Sequence, residues 1–191
     1  FIFESYVGGK GMYGIIATWR MALEGISKAD SMLKNNESAA DSIEEAIKAV
    51  EDFEYYKSVG YGGLPNEEME VELDAAFMDG DTLEFGCVGG VKDFANPVSI
   101  ARSLMHYDAN NFLVGQGAEK YASRHGFERK TMLTDRAKIH YHNRTKEIAN
   151  TELKPYSGHD TVGMVCLDTA GHMTSATSTS GLFMKHPGRL G

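Results

Sequence analysis

Apolar and polar positions along the chain alternate between two spacings, and the spacing changes predict the elements. Residues 12–18 form a short apolar run with the character of a buried strand. From about residue 20 to 34, Ala22, Ile26, Ala29 and Leu33 recur at steps of three and four, which predicts a helix with one apolar face. Ser38 stands where an N-cap belongs, and Ile43, Ala46, Ile47 and Val50 predict a second helix running to about Phe53. Residues 60–66 are rich in glycine and read as a loop. Residues 71–79 and 82–88 read as strands, joined through Asp79-Gly80-Asp81, which has hairpin-turn chemistry.

Asn96-Pro97 opens a third helix through Ile100, Ala101, Leu104 and Met105, with Pro near its first turn. Residues 112–114 suggest a strand, and residues 115–124 a helix ending before Gly126. Residues 128–157 are polar and poorly periodic, and 131–148 is the part whose pattern allows a helix. The strongest strand signals are residues 161–167 and 172–179, separated by a turn over 168–171. No internal repeat, low-complexity tract or interdomain linker interrupts this order. The pattern is mixed α and β, with hairpins that make the sheet at least partly antiparallel.

Composition narrows the function classes. With 191 residues the chain is long enough for one domain with a real core. A net charge of -8, from 19 basic and 27 acidic residues, argues against a nucleic-acid groove or docking on an anionic membrane. No stretch is long enough to span a bilayer, and residues 1–9 lack the basic head and apolar run of a signal peptide. The residues before Met12 read either as a leader remnant or as an added segment. A cytoplasmic location is the expectation, with periplasm and lysosome left open. Cys87 and Cys166 both lie in apolar, strand-like runs and are expected to be buried thiols rather than a disulfide framework.

The segment Gly158-His159-Asp160-Thr161-Val162-Gly163-Met164 carries the chemistry. A polar loop runs straight into an apolar strand, with Thr161 at the junction. Taken alone, a Thr opening a strand is ordinary, and His159-Asp160 reads equally well as a turn. A Thr hydroxyl becomes a useful nucleophile when its own α-amine is free to act as the adjacent base. That amine has a pKa of roughly 7.7–8.0, so a neutral fraction is available near neutral pH. This requires a cut before Thr161, which an N→O acyl shift onto the Thr161 hydroxyl could make.

This run, followed by Leu167-Asp168, Thr177-Ser178-Thr179-Ser180-Gly181 and Gly188-Arg189-Leu190-Gly191, resembles the cleavage-site region of the glycosylasparaginases. These are Thr-type N-terminal nucleophile hydrolases within the wider type 2 asparaginase family. Further similarity runs through Ala17-Thr18-Trp19, the loop from Ser58 to Asn66, Leu73-Asp74-Ala75, residues 96–102 and residues 114–118. Plant-type asparaginases and isoaspartyl peptidases usually carry Gly before the nucleophile, so His159-Asp160 is closer to the glycosylasparaginase branch.

The resemblance implies an α+β fold, a four-layer αββα sandwich, expected to be incomplete in these residues. It implies one domain, with residues 1–160 α-subunit-like and 161–191 opening a β-subunit-like segment. Autocleavage would involve His159, Asp160 and Thr161. Thr161 would be nucleophile and base, Thr179 would assist its hydroxyl, Trp19 would line and orient the nucleophile pocket, and Ser58 would contact Thr161 or substrate. Arg189 would pair with the α-carboxylate of an asparagine-linked amide through two parallel hydrogen bonds. No metal or organic cofactor is implied, and the expected assembly is a homodimer of cleaved α/β units. An isoaspartyl peptidase or asparaginase using the same Thr is the alternative, and a non-cleaving binding relative is a third.

Two features depart from the family pattern. The Asp that follows Gly-Arg-φ-Gly, and the Thr-Gly region resembling an oxyanion hole, would fall beyond Gly191, so these residues are expected to be part of a longer protein. His186-Pro187 also replaces an apolar-His pair. His140-Tyr141-His142 lacks partners at zinc-site spacing and reads as a surface pair. The glycine clusters lack a P-loop Lys and Ser/Thr, and the sequons at Asn36 and Asn143 read as chance.

Overall fold

A computed structural model describes residues 2–5, 11–150 and 161–191. The helix-period and strand-period segments fold as two layers. β1 (Ile2–Ser5) pairs antiparallel with β2 (Tyr13–Ala17), and on β2 Tyr13, Ile15 and Ala17 are buried while Ile16 is exposed. A 3-10 turn over Arg20–Ala22 leads into α1 (Leu23–Lys34), so the helix predicted from residue 20 opens with a tighter turn. α2 (Ala39–Glu51) is capped as expected: the Ser38 hydroxyl accepts the Asp41 N–H at 3.0 Å. It stops at Glu51, short of Phe53. α1 and α2 pack so closely that a Cβ at Gly25 would collide with the Ala46 carbonyl.

β3 (Leu73–Asp79) and β4 (Phe85–Val91) form an antiparallel pair, with β4 beginning three residues later than the pattern predicts. The cause is the Asp79 carboxylate, which accepts the N–H groups of Asp81 and Thr82 at 2.8 Å each and draws residues 80–84 into a longer loop. α3 (Pro97–Leu104) has Pro at its first turn. β5 (Phe112–Val114) and α4 (Gly115–Arg124) match their predicted bounds, and α5 (Asp135–Asn150) falls in the weakly periodic polar region. β6 (Val162–Leu167) and β7 (Met173–Thr179) complete the described elements.

The seven strands lie in the order β1-β2-β6-β7-β3-β4-β5. Among the described residues only the β4–β5 pair is parallel. α1 packs on β2, α2 on β6 and β7, α3 on β3 and β4, and α4 on β4 and β5. One apolar core joins these helices to the strand residues of matching parity, including Tyr13, Ile15, Phe77, Val162, Met164 and Cys166. Residues of the opposite parity carry exposed apolar side chains: Ile16 at 46%, Met78 at 37%, Phe85 at 43% and Val165 at 39%. A groove of about 600 Å³ runs along this open face. The fold is therefore mixed α and β, with α1 to α4 packed on one sheet among the described residues.

The same parity corrects one expectation. Cys166 is buried on the helix side, where burial and the nearby Asp168 push its thiol up to about 12. Cys87 is only half-buried, because Gly86 and Val88 take the helix-covered positions of β4 and turn Cys87 to the open face. A Cβ at Gly86 would strike the Ala101 carbonyl of α3, so glycine is what lets that helix sit down.

Candidate functional site

Register builds the site. Val162 lies opposite Ser178, so one further step sets Thr161 opposite Thr179, and Thr179 lies opposite Asp74 on β3. On the other side of β6, the Thr18 N–H donates to the Gly163 carbonyl at 2.9 Å. Thr161, Thr179 and Asp74 thus form a row across three strands, at one end of the sheet and on the face away from the helices, while Thr18 lies opposite Gly163, two residues along.

The Thr18 hydroxyl donates to the Thr161 carbonyl at 2.9 Å and accepts the Gly163 N–H at 2.9 Å. It fixes the backbone on the C-terminal side of Thr161. Sequence reasoning quoted Thr18 within a motif but gave it no role, because the contact joins residues far apart in the chain. The next residue, Trp19, has φ 62° and ψ 152°, a region that is nearly glycine's alone, and its residue surface is 54% exposed. Backbone strain therefore sits directly beside the Thr161 anchor. His159 and Asp160 lie outside the described residues.

Thr179 is buried, and its hydroxyl donates to the Ser58 carbonyl at 3.3 Å and accepts the Gly181 N–H at 2.9 Å. The Ser58 carbonyl also accepts the Ser180 N–H at 2.6 Å, so the glycine-rich loop docks on the end of β7 through its backbone. Gly63 completes this contact: a Cβ there would lie 2.8 Å from both Cβ and Oγ of Ser180.

Beneath the row lies a residue that the sequence reading passed over. Glu51 is fully buried and accepts hydrogen bonds from Ser178 Oγ at 2.6 Å, Val98 N–H at 3.1 Å and Asn96 Nδ2 at 3.3 Å. Burial outweighs these donors and raises its carboxyl from 4.5 to about 8. Its backbone carbonyl accepts the Tyr61 N–H at 2.7 Å, holding the same loop that Thr179 holds from above. A signal was present: Ile43, Ile47 and Glu51 fall at i, i+4 and i+8, placing an acid on the apolar stripe of α2.

Arg189 is exposed, with its Nη1 donating to the Gly191 carbonyl at 2.5 Å. Its backbone carbonyl accepts a hydrogen bond at 2.7 Å from Lys185, a buried residue. His186, at the departure from the family pattern, bonds Glu67 at 2.7 Å, and this contact raises its pKa above the ordinary value. Among the described residues no group of three or more His, Cys, Asp or Glu could hold a metal ion, and none of the helices is long and apolar enough to cross a membrane.

Comparison with known proteins identifies the family of the chain. A family profile described as Asparaginase matches residues 15–191. The chain is 33% identical over 177 residues to N(4)-(Beta-N-acetylglucosaminyl)-L-asparaginase of Elizabethkingia miricola, covering 93% of this chain and 52% of that one. It is 37% identical over 175 residues to isoaspartyl peptidase/L-asparaginase of Rattus norvegicus, covering 88% and 52%. It is also 34% identical over 175 residues to isoaspartyl peptidase of Escherichia coli (strain K12), covering 87% and 54%. The chain belongs to the asparaginase family. It spans about half the length of these curated relatives. These identities do not rank one named activity above the other.

Proposed function

We propose that this chain carries the nucleophile half of an autoprocessing amidohydrolase that cleaves the side-chain amide of asparagine-linked substrates. The observation that carries the reading is Thr161 at the open end of β6, braced by Thr18 and set opposite Thr179. In maturation the Thr161 hydroxyl attacks the Asp160 carbonyl. The peptide C–N bond breaks as an ester forms, and one water hydrolyses the ester, leaving Asp160 as a carboxylate and Thr161 with a free amine. In turnover that amine takes the Thr161 hydroxyl proton as the oxygen attacks the substrate's side-chain carbonyl. The leaving amine departs with the proton, and water releases aspartate from the β-aspartyl ester. Arg189 supplies the positive group that an α-carboxylate needs on a net-acidic protein.

The exposed apolar row of Ile16, Met78, Phe85 and Val165 suits a second sheet laid on the open face, giving the four-layer sandwich of the family resemblance. The proposed assembly is a dimer of cleaved units, which light scattering of the full-length protein tests. The second reading, an isoaspartyl peptidase or L-asparaginase with the same Thr161, is supported equally, by the relatives of those names.

The test is the denatured intact mass of the protein expressed from its complete gene. Two fragments meeting between Asp160 and Thr161 are expected, with Thr161→Cys cleaving slowly and Thr161→Ala not at all. A single mass after long incubation, or normal cleavage in Thr161→Ala, would sink the mechanism and favour a binding relative. Turnover of a glycosyl-asparagine, a β-aspartyl dipeptide and free asparagine then separates the two activities.

A further inference from the structure

Three charged residues that the proposed reaction does not use lie buried together behind Arg189. Glu72, Asp74 and Lys185 are 6%, 8% and 5% exposed. Each reaches the backbone of the segment that carries Arg189. The Glu72 carboxylate accepts the Gly188 N–H at 2.9 and 3.1 Å. The Asp74 carboxylate accepts the Gly191 N–H at 2.8 Å and the Gly90 N–H at 2.7 Å. Lys185 Nζ donates to the Arg189 carbonyl at 2.7 Å and sits 3.7 Å from Glu72 and 3.9 Å from Asp74.

Charged groups are seldom buried without a partner, because desolvation penalises each of them. Here the ammonium lies between two carboxylates, which also accept the backbone N–H groups of Gly188 and Gly191 on one short segment and, at Asp74, that of Gly90. Gly188 makes the approach possible: its φ of 80° is a conformation that side-chain-bearing residues rarely adopt. Lys185 is itself fixed, since its carbonyl accepts the Glu67 N–H at 2.9 Å and the Met184 N–H reaches the Pro65 carbonyl at 3.0 Å. Asp74 is also the last member of the Thr161–Thr179 row. One carboxylate therefore joins the row holding the nucleophile to the backbone holding the arginine.

We propose that Glu72, Asp74 and Lys185 form a clamp of positioning residues that sets the reach between Thr161 and the α-carboxylate bound by Arg189. The clamp thereby selects substrates whose carboxylate and amide carbonyl are one aspartyl side chain apart. This deepens the reading of Arg189 above and rests on it. None of the three touches substrate; they act through the backbone of residues 188–191.

Lys185→Met strands two buried carboxylates and is expected to misfold, so the measurements use Glu72→Gln and, separately, Asp74→Asn in the full-length protein. Both keep side-chain shape and one accepting oxygen. Cleavage at Thr161 is checked by intact mass, and KM and kcat are measured on an asparagine-type substrate and on its α-carboxamide analogue. The expected result is KM raised about tenfold on the free acid, kcat within about threefold, and no change on the carboxamide or in an Arg189→Ala background. Equal losses on both substrates, or losses that add to those of Arg189→Ala, would overturn the clamp. Failure of both variants to fold would also overturn it, since the trio would then serve stability alone. If Arg189→Ala leaves the preference for the free acid intact, the fault lies instead with the reading of Arg189.

Discussion

Replacing Glu51 by Gln should flatten the dependence of stability on pH between 5 and 8. The Glu51 carboxyl is buried beneath Ser178 and ionises near 8 in the folded protein, against 4.5 for an ordinary glutamate. Between those values the folded protein holds a proton that the unfolded chain has released. Raising the pH therefore favours unfolding. The contribution of Glu51 is fully present below 4.5 and is lost as the pH rises through about 8. At about 1.4 kcal/mol per pKa unit, the loss between pH 5 and pH 8 is roughly 3–4 kcal/mol. Gln keeps the shape and cannot ionise, so the variant should lack this slope, whatever fixed offset it gains from placing an amide near Asn96. Urea unfolding of the full-length protein in a Thr161→Ala background, where one covalent chain is expected, would read the difference at each pH. Titrations shared by the two proteins cancel in it. Parallel stability curves across this range would refute the argument and mean that Glu51 ionises normally.

Two further substitutions probe the surroundings of Thr161. Thr18→Val removes the hydroxyl that bridges the Thr161 carbonyl and the Gly163 N–H. The expected result is about 1 kcal/mol of stability lost in a thermal melt and turnover lowered about tenfold, with Thr18→Ser restoring both. Trp19→Gly relieves a backbone conformation that costs on the order of 1–3 kcal/mol, against about 1 kcal/mol of added chain entropy. Its melting temperature should hold or rise while turnover falls; a melting temperature several degrees lower would show that packing of the indole outweighs the strain.

Elements set by local spacing were legible in the sequence, and those set by distant partners were not. β5 and α4 keep their predicted bounds, and Ser38 caps α2, because each depends on residues close in the chain. β1 escaped notice because its strand character comes from pairing with β2. β4 was misplaced because a side chain, Asp79, rather than glycine alone, shapes the turn before it. In the candidate site, Thr161 was picked out by the family resemblance, since a Thr opening an apolar strand is ordinary taken alone. Its neighbours were not: Asp74 enters the row through strand register and Thr18 reaches Thr161 from the neighbouring strand, and a single sequence states neither pairing.

β7 shows why the buried acid and the open-face row belong to one device. Ser178 and Thr179 are adjacent, so their side chains leave opposite faces of the sheet. Ser178 binds Glu51 on the helix side, while Thr179 binds the Ser58 carbonyl on the other. The loop from Ser58 to Gly63 is then tied at both ends, since the Glu51 carbonyl holds Tyr61 and Ser58 holds Ser180. Gly60 packs directly on the Glu51 backbone, leaving no space for a side chain. A shift of α2 along the sheet would therefore move Ser178 and the loop together. Because Ser178 also pairs with Val162, the residue after Thr161, that movement reaches Thr161 through one strand pair. The acid at the end of α2 thus works as a pin between the helical layer and the site, and burial is what makes it a stiff one.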